Sequence, residues 1–337
     1  MLKRIIVLVV CLPIFALVVI GCLLVYFLKM PGKSYRDSLP ELSSTERQLS
    51  SELETHVRKL SGDIGERNWR TPANLAKAAK YIEEQFQDCG YEVRLQEYQF
   101  QQQSYRNIIA EQPGVSKPDE IIVIGAHYDS VVDCPGANDN GTGVASLLAL
   151  ARIFQGERLS RTIRFVAFPN EESPFFAGEG MGSLNYARSC RSSNEKIKAM
   201  LSLETMGCYL DDRHSQRYPS ILRWIYPDTG NFIAFVGNLS NRDLVVRCVD
   251  LFRKNAKFPC EGGSAPTFLP GIEWSDHYSF SAVDYPALMV TDTAPYRYRY
   301  YHTAQDTAEH IDFSRLALVT QGLFAVVRGL AGLETVE

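Results

Sequence analysis

Hydrophobic and polar positions follow each other along this chain in three rhythms, and each predicts a different element. The first is an unbroken apolar run: the 24 residues from Ile5 to Leu28 carry no charge. A bilayer core takes about 20 helical residues to cross, whereas the apolar part of a cleaved signal peptide spans about 7–15, so this run predicts an uncleaved signal anchor. Residues 29–42, with Pro-Gly, Ser and mixed charge, read as a linker. The second rhythm is helical. Ser43 and Glu46 form a capping box that opens a helix to about Leu60, and Thr71-Pro72 starts another in which Leu75, Ala78, Ile82 and Phe86 recur at helical spacing until Gly90. Further helices are expected over 144–154, near 240–255 and over 312–333. The third rhythm is that of strands: residues 91–100 and 106–111 alternate, and Ile121 to Ile124 is a short β-branched run of the kind buried on both faces. Strands are also expected over 162–168, 198–203, 231–236 and 286–291. Strands alternating with helices predict an α/β fold, a single domain with a central mixed, mostly parallel sheet flanked by helices on both faces.

Several strands end in chemistry. After Ile121–Ile124 come His127, Asp129, Asp133 and Asp139, then a Gly-rich turn into the helix at 144. The strand at 162–168 runs into Asn170-Glu171-Glu172, that at 198–203 ends in Glu204, and beyond the strand at 286–291 an aromatic loop reaches His302. Open α/β sheets bind ligands at the carboxyl ends of their strands. Imidazole nitrogens and carboxylate oxygens are the donors that suit Zn²⁺, and one carboxylate can bridge two ions. A lone acidic residue after a strand is an ordinary solvated cap, but capping does not explain four such ends.

Composition and charge narrow the partners. Of the 35 basic residues, Lys3, Arg4, Lys29, Lys33 and Arg36 precede position 37 with no acidic counterpart, leaving 30 against 39 acidic residues in the remainder. An acidic domain with no basic block excludes nucleic acid as a partner. Positive charge flanks both ends of the apolar run; the four-residue amino-terminal tail places residues 1–4 in the cytoplasm and the domain in the periplasm or outside, on a single-pass protein of the inner membrane. Val19-Ile20-Gly21-Cys22 is similar to a lipoprotein cleavage box, although the apolar run continues past it. Six cysteines lie beyond the leader, with no Cys-x-x-Cys pair, and both free thiols and disulfides stay open. Gly178-Glu-Gly-Met-Gly182 lacks the strand and spacing of a dinucleotide loop, and there is no Gly-x-Ser-x-Gly elbow or His-Glu-x-x-His helix.

Five blocks, taken in order, are Gly125-Ala-His-Tyr-Asp-Ser, Gly136-Ala-Asn-Asp-Asn-Gly-Thr-Gly, Asn170-Glu-Glu, Ser202-Leu-Glu-Thr-Met-Gly and Tyr301-His-Thr-Ala-Gln-Asp-Thr. Together they resemble the metal-binding blocks of the dizinc aminopeptidases, a family related to glutamate carboxypeptidases and glutaminyl cyclases. The resemblance covers roughly residues 45–335 and implies a zinc-exopeptidase-like fold over 43–337. It implies two zinc ions per chain, with Asp139 bridging them, Glu172 and His302 completing one site, and His127 and Glu204 the other. Glu171 would be the general base, Asp129 and Asp306 would orient His127 and His302, and Asp276, in Ser275-Asp-His-Tyr278, would be auxiliary. Where many members have Asp, this chain has Glu204, one methylene longer. The resemblance also implies a cis Asp139–Asn140 peptide.

The expected activity is removal of amino-terminal residues from peptides with a free amino terminus. Two enzymatic alternatives stand beside it: a one-zinc glutaminyl cyclase, and a carboxypeptidase, for which Arg297 or Arg299 would supply the cation that holds a substrate carboxylate. A non-enzymatic ectodomain is disfavoured because all five ligand positions and the base are filled.

Overall fold

The computed structural model describes residues 26–332 together with Ile14, Phe15 and Gly21. Most of the anchor expected over 5–28, and the tail at 1–4, lie outside the described residues. Among those described, one helix is long and apolar enough to cross a membrane, Phe313–Ala331, and it is a core helix.

In chain order the elements are α1 (Ser44–Arg58), α2 (Pro72–Asp88), β1 (Arg94–Phe100), β2 (Gln103–Gln112), β3 (Lys117–His127), α3 (Gly143–Phe154), β4 (Arg161–Phe168), α4 (Gly182–Ser192) and β5 (Lys196–Glu204). They continue with β6 (Ile233–Asn238), α5 (Arg242–Asn255), β7 (Cys260–Ala265), α6 (His277–Ser281), β8 (Ala287–Thr291), α7 (Ala294–Arg297) and α8 (Phe313–Ala331). The strands make one mixed eight-stranded sheet in the order β1-β2-β4-β3-β5-β8-β6-β7. Its centre, β4-β3-β5-β8, is parallel, so those four strands deliver their carboxyl ends to one rim.

The β-branched run in β3 is buried on both sides, as its lack of alternation requires. Ile122, Ile124 and Ala126 enter the main core with residues of α1, α2, α3, α5 and α8, while Ile121 and Val123 enter a second core with Tyr186 of α4 and Phe280 of α6. Ser43 caps α1 through the expected capping box.

β7, α4 and the two short helices α6 and α7 were not anticipated. β7 reads Cys-Glu-Gly-Gly-Ser-Ala, weak in strand formers, yet its glycines are required by its neighbours: a Cβ on Gly262 would come within 2.5 Å of Val249, and one on Gly263 within 2.3 Å of the Tyr226 hydroxyl. α4 begins at Gly182, whose Cβ would meet Pro169 at 2.4 Å, so the glycines of 178–182 serve close packing. The stretch expected as a linker is partly seated on the domain, with Met30 buried and Ser34 Oγ accepting from the Cys260 N–H at 2.9 Å. The six cysteines of the described residues are all free thiols.

Candidate metal centre

The rim of the parallel strands positions the site. Gly125 pairs with Ser202 and Glu204 with Thr291, so His127 at the end of β3 lies level with Glu204 at the end of β5. Between them sits the loop Ala137–Thr142, which carries Asp139, and its sequence Asn-Asp-Asn explains how it is held. Asn138 Oδ1 accepts the Gly207 N–H at 2.8 Å, and Asn140 bonds the chain on either side of Glu204, donating to the Leu203 carbonyl at 2.8 Å and accepting the Thr205 N–H at 3.1 Å. Gly136, at φ +65°, admits the turn into this loop, where a Cβ would meet the Asp139 carbonyl oxygen at 2.4 Å. The Asp139–Asn140 peptide is cis.

Asp139 is the centre of the arrangement. Its Oδ1 lies 3.3 Å from His127 Nε2 and its Oδ2 lies 3.0 Å from His302 Nε2. Glu204 Oε2 is 3.1 Å from His127 Nε2, and Glu172 Oε2 is 3.4 Å from His302 Nε2. Two three-donor groups thus share Asp139: His127, Asp139 and Glu204 in one, and Asp139, Glu172 and His302 in the other. Donors bound tetrahedrally to zinc at about 2.0–2.1 Å stand about 3.3 Å apart, which is the spacing these pairs have. A third grouping, His127 with Glu171 and Glu172, is looser, since Glu171 Oε2 stands 4.0 Å from His127 Nε2. Buried oxygens at Asp139 Oδ1 and Glu172 Oε1 have no hydrogen-bond partner. Buried carboxylates converging without a cation are costly, and divalent ions would satisfy both the charge and the free oxygens. The residues therefore fit zinc.

The surrounding groups aim these donors. Asp129 accepts the backbone N–H of Glu171 and of Glu172, each at 3.1 Å, so one carboxylate fixes both adjacent glutamates. It also stands 3.4 Å from His127 Nδ1, on the side expected of an orienting group. Asp306 differs from expectation: it takes the N–H groups of Asn138 and Asp139 and the Tyr298 hydroxyl, and so supports Asp139 rather than His302. The ring of His302 instead stacks on Tyr301, with centroids 3.8 Å apart. Ser275 Oγ donates to Glu204 Oε2 at 2.8 Å, tethering the longer side chain. Asp276 is wholly buried with neither oxygen hydrogen-bonded. Asn170, Thr205 and His302 occupy the left-handed region at φ 62°, 43° and 57°, strained backbone gathered where strands hand over to the site.

Electrostatics follow from this crowding. Burial pushes the Glu171 carboxyl well above its ordinary range, against the pull of His127 and with help from Glu204 and Glu172. Burial likewise raises Glu172 to about 7 and Asp276 to about 7. Asp139 is also desolvated, but the neighbouring His127 and His302 rings outweigh burial and hold it low. Burial would lower His302, yet Asp139 and Glu172 lift it to about 10.

The sequence missed Arg67. Its side chain is fully buried and donates from Nε to the Tyr128 carbonyl at 2.8 Å, from Nη1 to Pro135 at 2.5 Å and from Nη2 to Gly136 at 2.8 Å, clamping the loop between Asp129 and Asp139. A buried arginine far from the motif leaves no local signal. Arg297 turns away from the site: it donates to Gln216 and to the carbonyls of Cys208, Gly230 and Phe232. Arg299 lies against Tyr300. Beside Glu204, Thr205 and Tyr301 opens an apolar cavity of about 120 Å³, walled in part by Phe232, Ile272 and Met289.

Similarity to known proteins agrees with this geometry. The Escherichia coli K12 protein YfbL, described as uncharacterized, is 36% identical over 303 residues, which are 87% of this chain and 92% of YfbL. Aminopeptidase YwaD of Bacillus subtilis 168 is 27% identical over 238 residues, 68% of this chain and 46% of YwaD. The fold is shared with BSAP, a zinc aminopeptidase from Bacillus subtilis, at TM-score 0.68 and 16% identity over 86% of this chain and 96% of that one. It is shared also with the glutaminyl cyclase of Bacteroides thetaiotaomicron, at TM-score 0.61 and 18% identity over 86% and 99%. Residues 107–327, which run from β2 to α8 and contain every donor described above, match the model of Peptidase family M28, and the chain belongs to that family.

Proposed function

We propose that this protein is a zinc-dependent exopeptidase that removes amino-terminal residues from peptides, using two zinc ions that share Asp139. The observation that carries the reading is the pair of three-donor groups meeting at one carboxylate, with a further buried carboxylate, Glu171, beside them. Membership of a peptidase family and the relationship to an aminopeptidase of Bacillus subtilis support it.

His127, Asp139 and Glu204 would hold one ion, and Asp139, Glu172 and His302 the other. Bound zinc supplies Lewis-acid polarisation of the scissile carbonyl and acidifies the attacking water. The chain's own part is proton handling and placement. Glu171, held by Asp129 through its backbone N–H, takes a proton from water on its carboxylate and passes it to the departing amine. The raised affinity of this buried carboxyl for a proton suits a group that must both accept and give one. The cavity beside Glu204 has the position and lining to receive an apolar amino-terminal side chain.

A carboxypeptidase needs a cation free to meet a substrate carboxylate, whereas Arg297 Nε and Nη1 bond Gln216 and main-chain carbonyls and Arg299 lies over the Tyr300 ring. A one-zinc cyclase would leave His127 and Glu204 facing each other without an ion. The deciding experiment offers the full chain a leucyl peptide, its N-acetylated form and a Gln-initiated peptide, with and without chelator. Release of free leucine from the first alone, abolished by chelation and restored by zinc, is expected; ring closure on the Gln peptide without amino-acid release would overturn the reading.

A further inference from the structure

The apolar cavity is walled partly by Leu28, the last residue of the uncharged run that begins at Ile5. The chain leaving that run is fastened to the domain. Arg242 at the start of α5 donates to the Tyr26 carbonyl at 2.9 Å and lies 3.8 Å over the Tyr26 ring. Met30 packs against Gly262, and Arg253 donates to the Pro31 carbonyl at 2.9 Å. Residues 26–34 are therefore seated against β7, the edge strand of the sheet, next to the cavity.

The same region carries much of the exposed apolar surface of the described residues. Among these, outside the leader and Val115, the large hydrophobic side chains left exposed are Trp224 at 76%, Ile225 at 44%, Leu239 at 37%, Phe268 at 81% and Trp274 at 48%. None is remote from the cavity or the leader. Leu222 and Tyr226, which bracket Trp224 and Ile225, line the cavity, as do Pro270 and Ile272 in the loop between Phe268 and Trp274, and Trp274 itself. Leu239 stands three residues before Arg242, the residue that holds Tyr26. Single exposed apolar residues are ordinary, but a cluster at one rim marks a contact surface. Arg223 lies 4.8 Å over the Trp224 ring, so this rim pairs aromatic rings with a long cationic side chain, as membrane interfaces do.

We propose that Trp224, Ile225, Leu239, Phe268 and Trp274 form a bilayer-docking surface, so that the cavity beside Glu204 opens at the membrane interface and draws on peptides partitioned there. The docking rests on the reading of residues 5–28 as a membrane anchor, and the choice of substrate rests on the exopeptidase reading. The occupant is read from the sequence: an apolar run of bilayer length ends at Leu28 on this rim, and on the anchor reading the bilayer it would span lies against that rim.

The test uses the full chain in vesicles of phosphatidylcholine and phosphatidylglycerol, with or without phosphatidylcholine brominated in the upper acyl chain. The protein's three tryptophans are Trp69, Trp224 and Trp274; Trp69 packs edge-on against Phe175, and neither of these two lines the cavity. In the Trp69→Phe variant, brominated lipid should quench emission by about half, while the Trp224→Phe, Trp274→Phe variant should lose little. Absent or equal quenching overturns the docking, whether the anchor fails to insert or another protein covers the rim. In a second arm, a leucyl peptide carrying a carboxyl-terminal acyl chain should be cleaved about tenfold more efficiently than the same peptide without it, and Trp224→Ala with Phe268→Ala should remove that advantage. Because quenching needs no turnover, a quenched but inactive protein would sink the exopeptidase reading and leave the docking intact.

Discussion

The carboxylate of Asp306 holds the backbone of Asp139: Oδ2 accepts the Asp139 N–H at 3.1 Å, while Oδ1 takes the neighbouring Asn138 N–H at 2.8 Å. A residue from the loop before α8 thereby fixes the carboxylate on which both donor groups converge. Asp306→Asn replaces one acceptor oxygen with an amide that faces an N–H. It should destabilise the chain by about 1–3 kcal/mol and weaken zinc binding about 10–100-fold, read by thermal melts and by competition with a chelator. Unchanged zinc affinity would remove Asp306 from the account.

Glu171 stands 4.0 Å from His127 Nε2, outside the two donor groups that share Asp139, and is the proposed proton carrier. In Glu171→Gln the side chain keeps its size and loses its proton chemistry, so kcat on an aminoacyl anilide should fall by about 10²–10⁴ with zinc content unchanged. Full turnover in that variant would show that the proton goes elsewhere.

Stability should depend on pH in opposite ways with and without metal. Glu172 and Asp276 are raised by burial to about 7 from 4.5 and 3.8, so each holds its proton more tightly folded than unfolded. Their contribution to the stability of the metal-free chain is complete below pH 3.8 and is lost as pH rises through about 7. His302, lifted to about 10, loses its contribution only at higher pH. Cations compete with these protons, so the melting temperature gained on adding zinc should grow between pH 5 and 8. A gain that shrinks over that range would contradict the assignment of these carboxylates.

Arg67 offers a test of the clamp behind the site. Arg67→Met keeps much of the buried stem but leaves the carbonyls of Tyr128, Pro135 and Gly136 without donors. The loss should be about 3 kcal/mol or more, seen as a lower denaturant midpoint together with weaker zinc binding. A variant as stable as the parent would show that water replaces the guanidinium.

What the sequence revealed and what it hid have physical causes. His127, Glu172 and Glu204 were legible because each ends or closely follows a strand: a β-branched run before His127, the apolar strand at 162–168 before Asn170-Glu171-Glu172, and Glu204 directly after Leu203. Asp139 and His302 lie in loops and stood out through the Gly-rich turn and the block at 301–307. β7 was hidden because Gly262 and Gly263 answer to Val249 and Tyr226 rather than to strand propensity. The resemblance assigned Asp306 to His302, whereas its carboxylate takes the N–H groups of Asn138 and Asp139, 168 and 167 residues away, which no local pattern signals. Arg67 and Leu28 escaped for the same reason, as the Arg67 bond to Tyr128 spans 61 residues and the cavity that Leu28 helps to wall is built from residues far along the chain.

The central claim is that two zinc ions share Asp139, and counting metal tests it directly. Full-length protein, purified with zinc and freed of excess, should contain two zinc ions per chain, with anomalous density at the zinc edge on both sides of the Asp139 carboxylate, between His127 and Glu204 and between Glu172 and His302. One ion per chain, with His127 and Glu204 unliganded, would contradict it.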